Sequence, residues 1–157
     1  MSIPTGIPIL ESLKHSGALK FLFPMLFVSI LVISIISVRG TVGSMGARRA
    51  IILLVILAAS AFYFAYIEDT RKVHFLEYEL IALLLFKAIE IDLKSHIIYP
   101  LTLIILAALG LIEETVQAFY PDRTFDFQDI RIDMIASIFM MCIIWIFSGK
   151  RFSTTRP

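Results

Sequence analysis

The sequence predicts an all-α fold, a polytopic transmembrane helix bundle with about five transmembrane helices. Of its 157 residues, 59% are hydrophobic and only 17% are charged, and the mean hydropathy is +0.89. Soluble domains are about half apolar and about a quarter charged. The apolar residues also fall into five separate runs, each close to the roughly 20 residues that an α-helix needs to cross a bilayer.

The five predicted spans are separated by charges, glycines and a proline. They cover about 19–38, 50–67, 73–91, 96–116 and 131–148. Tyr120-Pro121-Asp122 ends the fourth span, because proline cannot continue the helical hydrogen-bond ladder. The first run is longer than a signal-peptide core of about 7–15 residues, so we predict a retained helix.

Charge distribution predicts an orientation. Five spans put the termini on opposite sides of the membrane, and eight of the 14 Lys and Arg residues fall on the side of the C-terminus. Since Lys and Arg concentrate on the cytoplasmic side, we expect a cytoplasmic C-terminus and an external N-terminus. Most acids fall on the N-terminal side, so the external face is predicted to be acidic.

Three helix ends meet on that acidic side, where the third and fifth helices begin and the fourth ends. Their polar residues are His74, Glu77, Tyr78, Glu113, Glu114, Gln117, Asp126 and Asp129. The first three are spaced i, i+3 and i+4, so we expect them to share one helix face turned towards protein. An ionisable group inside a span costs about 2.5–3.5 kcal/mol on insertion scales. The convergence therefore predicts a polar pocket.

The motifs at these ends resemble the VanZ-like family. They run Lys72-x-His74-Phe75-x-x-Tyr78, Glu113-Glu114-x-x-Gln117-x-Phe119-x-Pro121-x-Arg123 and Asp126-x-x-Asp129. The sequence departs from the family pattern at Arg71, where an aspartate is frequent, at Asp133, where the family often has Asn, and at Ala136, where glycine is usual. The resemblance covers about 50–148.

The resemblance implies an integral protein of the bacterial cytoplasmic membrane and the cell envelope. The family is named for a teicoplanin-resistance protein, which suggests a link to glycopeptide resistance or to surface glycans and lipid-linked precursors. It also divides the chain into an N-terminal segment with an additional transmembrane helix (1–49), a VanZ-like membrane domain (50–148) and a basic C-terminal tail (149–157).

Two other functions stay open. One is a non-catalytic accessory or structural subunit of a larger membrane complex, in which ion pairs and hydrogen bonds tie the three helices together. The other is a small intramembrane enzyme, with His74, Glu114 and Asp126 as candidate catalytic residues for acid–base chemistry. The expected partners are the lipid bilayer and other membrane subunits, without nucleic acid.

Carboxylates and one imidazole can hold a divalent cation. However, no second histidine lies near His74, so we predict no metal and no cofactor. We also expect Arg123 to be the cation of the cluster and to pair with Glu114 or Asp129. A guanidinium suits this role because it can bind a carboxylate through two parallel hydrogen bonds.

Overall fold

The computed structural model describes residues 19–38, 46–121 and 123–148, and these ranges are helical apart from short connections. The five helices are α1 (Leu19–Val38), α2 (Ala47–Tyr66), α3 (Lys72–Asp92), α4 (Ile98–Gln117) and α5 (Phe127–Ser148). The predicted all-α bundle is thereby confirmed. Residues 1–18, 39–45 and 122 and the basic tail 149–157 lie outside the described residues.

The start of α5 differs most from the prediction. The helix begins at Phe127 rather than near 131, because Asp126 caps its first turn. The Oδ1 atom of Asp126 accepts a hydrogen bond from the backbone N–H of Gln128 at 2.8 Å, as an N-cap residue does. The helix therefore extends through a polar first turn that apolar periodicity alone does not mark.

Three helical segments are long and apolar enough to cross a membrane: Arg48–Tyr66, Ile98–Gln117 and Phe127–Phe147. A shorter apolar stretch, Phe21–Ile36, lies within α1. The remaining helix, α3, carries charged residues in both its first and its last turns, on either side of an apolar middle: Lys72, Glu77, Glu79, Lys87, Glu90 and Asp92. The structure thus supports a membrane protein, while the count of five spans stays a prediction.

Within the described chain, α5 packs against each of the other four helices, and α3 packs against α1, α4 and α5. The central position of α5 follows from its sequence, which holds no charged residue between Asp133 and Ser148. Its Met140 and Ile144 side chains are fully buried. The core therefore lies between α3 and α5, with the other helices around this pair.

An aromatic cluster joins four of the helices around Phe75, which is 0% exposed. Its ring centroid lies 6.3 Å from Phe27 of α1, 5.8 and 5.6 Å from Tyr63 and Phe64 of α2, and 6.4 Å from Phe139 of α5. Tilted rings at such distances attract one another in addition to burying apolar area. Phe75 belongs to the motif that resembles the VanZ-like family, and in the fold it packs against these aromatic rings.

The variant Phe75→Ala is expected to lose about 3–5 kcal/mol of stability, because a fully buried aromatic ring would leave a cavity between four helices. Unfolding of the purified protein in mild detergent measures the loss. The matched control is Phe62→Ala, since Phe62 is 64% exposed. Equal destabilisation by the two substitutions would contradict the central role of Phe75.

Candidate functional site

Polar side chains from three helices converge at the end of the bundle where α3 and α5 begin and α4 ends. We call this group the polar cluster. Its members are His74 and Tyr78 from α3, Glu113 and Glu114 from α4, and Asp129 and Asp133 from α5. The predicted convergence of these helix ends is therefore present in the structure.

His74 lies at the centre of the polar cluster, and its side chain is 13% exposed. Its Nδ1 atom lies 3.5 Å from Asp133 Oδ1 and 3.9 Å from Glu113 Oε1. Its Nε2 atom lies 3.8 Å from Asp129 Oδ2. All three distances exceed the roughly 2.7–3.2 Å of an N–H···O hydrogen bond. The imidazole therefore has acidic groups beside both ring nitrogens without a close bond to any of them.

Asp133 is 1% exposed, and it is more deeply buried than Glu113 and Asp129, the other carboxylates within 4.0 Å of His74. Neither of its carboxylate oxygens has a hydrogen-bond partner. It was absent from the predicted site, although it lies four residues after Asp129 and therefore on the same face of α5. The four-residue spacing could have identified Asp133 as a site residue, but only if α5 was known to begin before Asp129.

Gly110 of α4 gives the helix room to approach this carboxylate. A Cβ atom added at Gly110 would lie 3.3 Å from Asp133 Oδ2 and 3.3 Å from the Tyr78 hydroxyl. These distances are tighter than most Cβ contacts. The absence of a side chain at this position thus lets α3, α4 and α5 meet closely at the polar cluster.

Glu113 is held by two donors. The Tyr78 hydroxyl donates to its Oε2 atom at 3.0 Å, and the Gln117 side-chain amide donates to its Oε1 atom at 3.1 Å. Arg123 Nη1 in turn donates to the side-chain Oε1 atom of Gln117 at 3.2 Å. These bonds orient the Glu113 carboxylate next to the imidazole of His74.

Glu114 faces the turn before α5 and is 1% exposed. Its Oε2 atom accepts a hydrogen bond from the backbone N–H of Asp126 at 2.9 Å, which ties the turn to α4. Its Oε1 atom is buried and has no hydrogen-bond partner. One ligand atom each of His74, Glu114 and Asp129 lie within 4.8 Å of one another, so Glu114 remains a neighbour of the imidazole.

The predicted pairing of Arg123 with Glu114 or Asp129 is wrong, and Arg71 takes that position instead. Arg71 Nη2 lies 2.8 Å from Asp126 Oδ2, and its Nε lies 3.5 Å from Asp129 Oδ1. Arg71 reaches these acids because it immediately precedes α3, whose start lies beside the start of α5. Arg123 is exposed, and its bond within the described chain goes to Gln117.

The predicted burial of Glu77 beside His74 is also wrong, because Glu77 is exposed. At about 100° per residue, Glu77 lies roughly 200° around α3 from the buried Phe75. The buried carboxylates of this helix are Glu79 and Glu90, and Glu79 accepts a hydrogen bond from the Ser60 hydroxyl of α2 at 3.3 Å. Helical spacing predicts that Glu77 and His74 lie close together on α3. It does not predict which side of α3 is covered by other helices.

Two further predicted site residues have partners outside the polar cluster. The Lys72 ammonium lies 2.6 Å from Asp69 Oδ1 and 5.7 Å from the centroid of the Phe64 ring. The Asp126 carboxylate binds Arg71 and caps α5. Of the three catalytic candidates, the structure thus brings His74 and Glu114 together, whereas the carboxylate of Asp126 serves the turn.

No family model matches the chain, and no curated protein or solved structure matches it either. The resemblance to the VanZ-like family therefore depends on the motif residues themselves.

Replacing Arg71 with Gln is expected to destabilise the protein by about 1–3 kcal/mol. This range lies between the roughly 0–1 kcal/mol of an exposed ion pair and the roughly 3–5 kcal/mol lost on breaking a buried one, because Arg71 and its partners Asp126 and Asp129 are partly exposed, and its third partner, Glu68, is exposed. Unfolding in mild detergent tests the value, with Arg123→Gln as the control that changes stability by less than about 0.5 kcal/mol. A larger loss for Arg123→Gln than for Arg71→Gln would refute the assignment.

Proposed function

We propose that this chain is a VanZ-like integral membrane protein of the bacterial cell envelope. Its polar cluster would act on molecules at the membrane surface: glycopeptides such as teicoplanin, surface glycans or lipid-linked precursors. In this proposal the protein lies in the cytoplasmic membrane, with the cluster at the external face.

One observation carries the proposal. The polar residues of the three separate motifs that resemble the family lie together at one end of the bundle: His74, Tyr78, Glu113, Glu114, Gln117 and Asp129. Tyr78 of the first motif lies 35 residues before Glu113 of the second, so the meeting of the first motif with the other two supports a shared role in one site. A bundle that only spans the membrane does not require a histidine surrounded by four carboxylates.

A second candidate is an intramembrane enzyme that uses the same cluster. It is favoured by the unpartnered buried oxygens of Glu114 and Asp133 beside His74. A carboxylate next to an imidazole is the arrangement that general acid–base catalysis needs. In this version Glu114 either orients His74 or exchanges a proton with it. This chemistry does not require the serine or cysteine nucleophile of a hydrolase.

Deletion of the gene is expected to lower the teicoplanin concentration that the host tolerates, and the wild-type gene should restore it. A gene carrying Glu114→Gln should fail to restore tolerance, because the change removes a buried carboxylate of the cluster. Glu77→Gln should restore it fully, since Glu77 is exposed on the same end of the bundle. Unchanged tolerance in the deletion strain, with the protein confirmed as expressed in the parent, argues against a resistance role.

The proposed orientation is tested with terminal tags in intact cells. An N-terminal tag should be accessible to an impermeant label and a C-terminal tag protected, because the cationic side is expected to be cytoplasmic. The reverse pattern would overturn the orientation. Two tags with the same accessibility would contradict the odd number of spans.

A further inference from the structure

We propose that His74, Glu113 and Asp133 form a binding site for a divalent metal cation. One ligand atom from each of the three residues lies within 4.8 Å of the other two. They come from α3, α4 and α5, so a bound cation would join three helices at the end of the bundle. The inference rests on the proposed function, which it deepens by naming the ligand that the polar cluster holds.

The separations suit ligands that surround a common ion. His74 Nδ1 lies 3.5 Å from Asp133 Oδ1 and 3.9 Å from Glu113 Oε1, which is too long for hydrogen bonds. A tetrahedral Zn²⁺ lies about 2.0–2.2 Å from imidazole nitrogen and carboxylate oxygen, which sets two of its ligands about 3.3–3.6 Å apart. The His74–Asp133 separation falls within that range, whereas Glu113 Oε1 would have to move closer to His74 Nδ1.

The Asp133 side chain is an independent indication that this group binds a ligand. The residue is 1% exposed, and both of its oxygens lack a hydrogen-bond partner. Buried carboxylates are expected to be paired or to coordinate a metal. The ion pair with His74 involves Asp133 Oδ1, which leaves Oδ2 without a partner. His74 Nδ1 is itself buried without a hydrogen bond, and a cation between these atoms would satisfy both groups.

The surroundings of the three ligands resemble the support that metal ligands receive in proteins. Tyr78 and Gln117 donate to the two oxygens of Glu113 and fix its orientation. Asp129 Oδ2 lies 3.8 Å from His74 Nε2, on the nitrogen that the cation would not use. A histidine that binds metal through one nitrogen commonly donates the other N–H to a carboxylate.

A second group, His74 with Glu114 and Asp129, also has ligand atoms within 4.8 Å of one another. Its charge is already compensated in part, because Arg71 Nε lies 3.5 Å from Asp129 Oδ1. A nearby guanidinium would repel a metal cation. Within the described residues no Lys or Arg lies within 4.0 Å of Glu113 or Asp133, so the first group is the more strongly anionic site.

The donor set determines the class of cation. Imidazole favours Zn²⁺ and other transition metals, whereas carboxylates also accept Mn²⁺ and Mg²⁺, so one imidazole with two carboxylates suits Zn²⁺ or Mn²⁺. Three protein ligands leave a coordination position for water or for an oxygen of a bound molecule. Such a position would give the site a way to bind a phosphate or hydroxyl group at the membrane surface.

The test uses the full chain in mild detergent, treated with chelator and then freed of it. Titration with Zn²⁺ alone, and separately with Mn²⁺, is followed by calorimetry and by the unfolding temperature. We expect saturable binding to the wild-type protein and a higher unfolding temperature, because a ligand that binds only the folded state stabilises it. Asp133→Asn, which keeps the shape of the side chain, should abolish binding. Asp129→Asn should weaken it by about 10–100-fold.

The matched control is Glu77→Gln, which removes an exposed carboxylate from the same helix as His74 and should leave binding unchanged. Because Asp133→Asn could impair folding, the visible absorption of Co²⁺ bound to the wild-type protein gives a second readout that needs no variant. Absence of saturable binding by the wild-type protein would overturn the proposal. Full binding by a folded Asp133→Asn variant, or its loss in Glu77→Gln, would do the same.

The outcome is separable from that of the proposed function. A wild-type protein that restores teicoplanin tolerance in cells but binds neither Zn²⁺ nor Mn²⁺ would remove the metal site and leave the proposed function standing. A protein that binds cation through Asp133 but does not affect tolerance would support the metal site and count against the resistance role.

Discussion

A carboxylate removed from water needs a donor or a positive charge beside it, and this requirement organises the end of the bundle where α3, α4 and α5 meet. Glu114 obtains a backbone N–H from the turn before α5, and Glu113 obtains a hydroxyl and an amide. Arg71 neutralises the acids at the start of α5. Among the residues that the structure describes, the His74 imidazole is the one basic group within 4.0 Å of the Asp133 oxygens, so the position of that ring affects how the three helices can pack.

The same requirement explains which side of α3 packs against the rest of the bundle. Glu79 is buried against Ser60 of α2, and Phe75 lies among aromatic rings of three neighbouring helices. Another side of α3 is exposed and includes Leu80, Leu84 and Ile91. Burying a carboxylate while leucines stay exposed is the reverse of a soluble bundle, where the charged faces point outwards.

Much of the architecture could be predicted from the sequence, because apolar runs of span length and the charged breaks between them are local signals. The meeting of His74, Glu113 and Asp129 could also be predicted, since it follows from the order of the helices. Neither the burial of Asp133 nor the exposure of Glu77 could be foreseen. Helical spacing states which residues share a face, whereas packing against other helices decides which face is covered. Arg71 was overlooked because its partners come from a distant segment, whereas Arg123 lay close to them in sequence.

The contacts of α5 also bear on how the protein is made. Along the described chain α5 follows the other four helices and packs against all of them, so it leaves the ribosome after them. Until α5 is made, the face of α3 that it later covers lacks this partner, and His74 lacks the acids of α5. Assembly therefore depends on α1, α2 and α4 retaining α3 while α5 is synthesised. A membrane quality-control protease would have an unsatisfied polar helix to recognise during that interval.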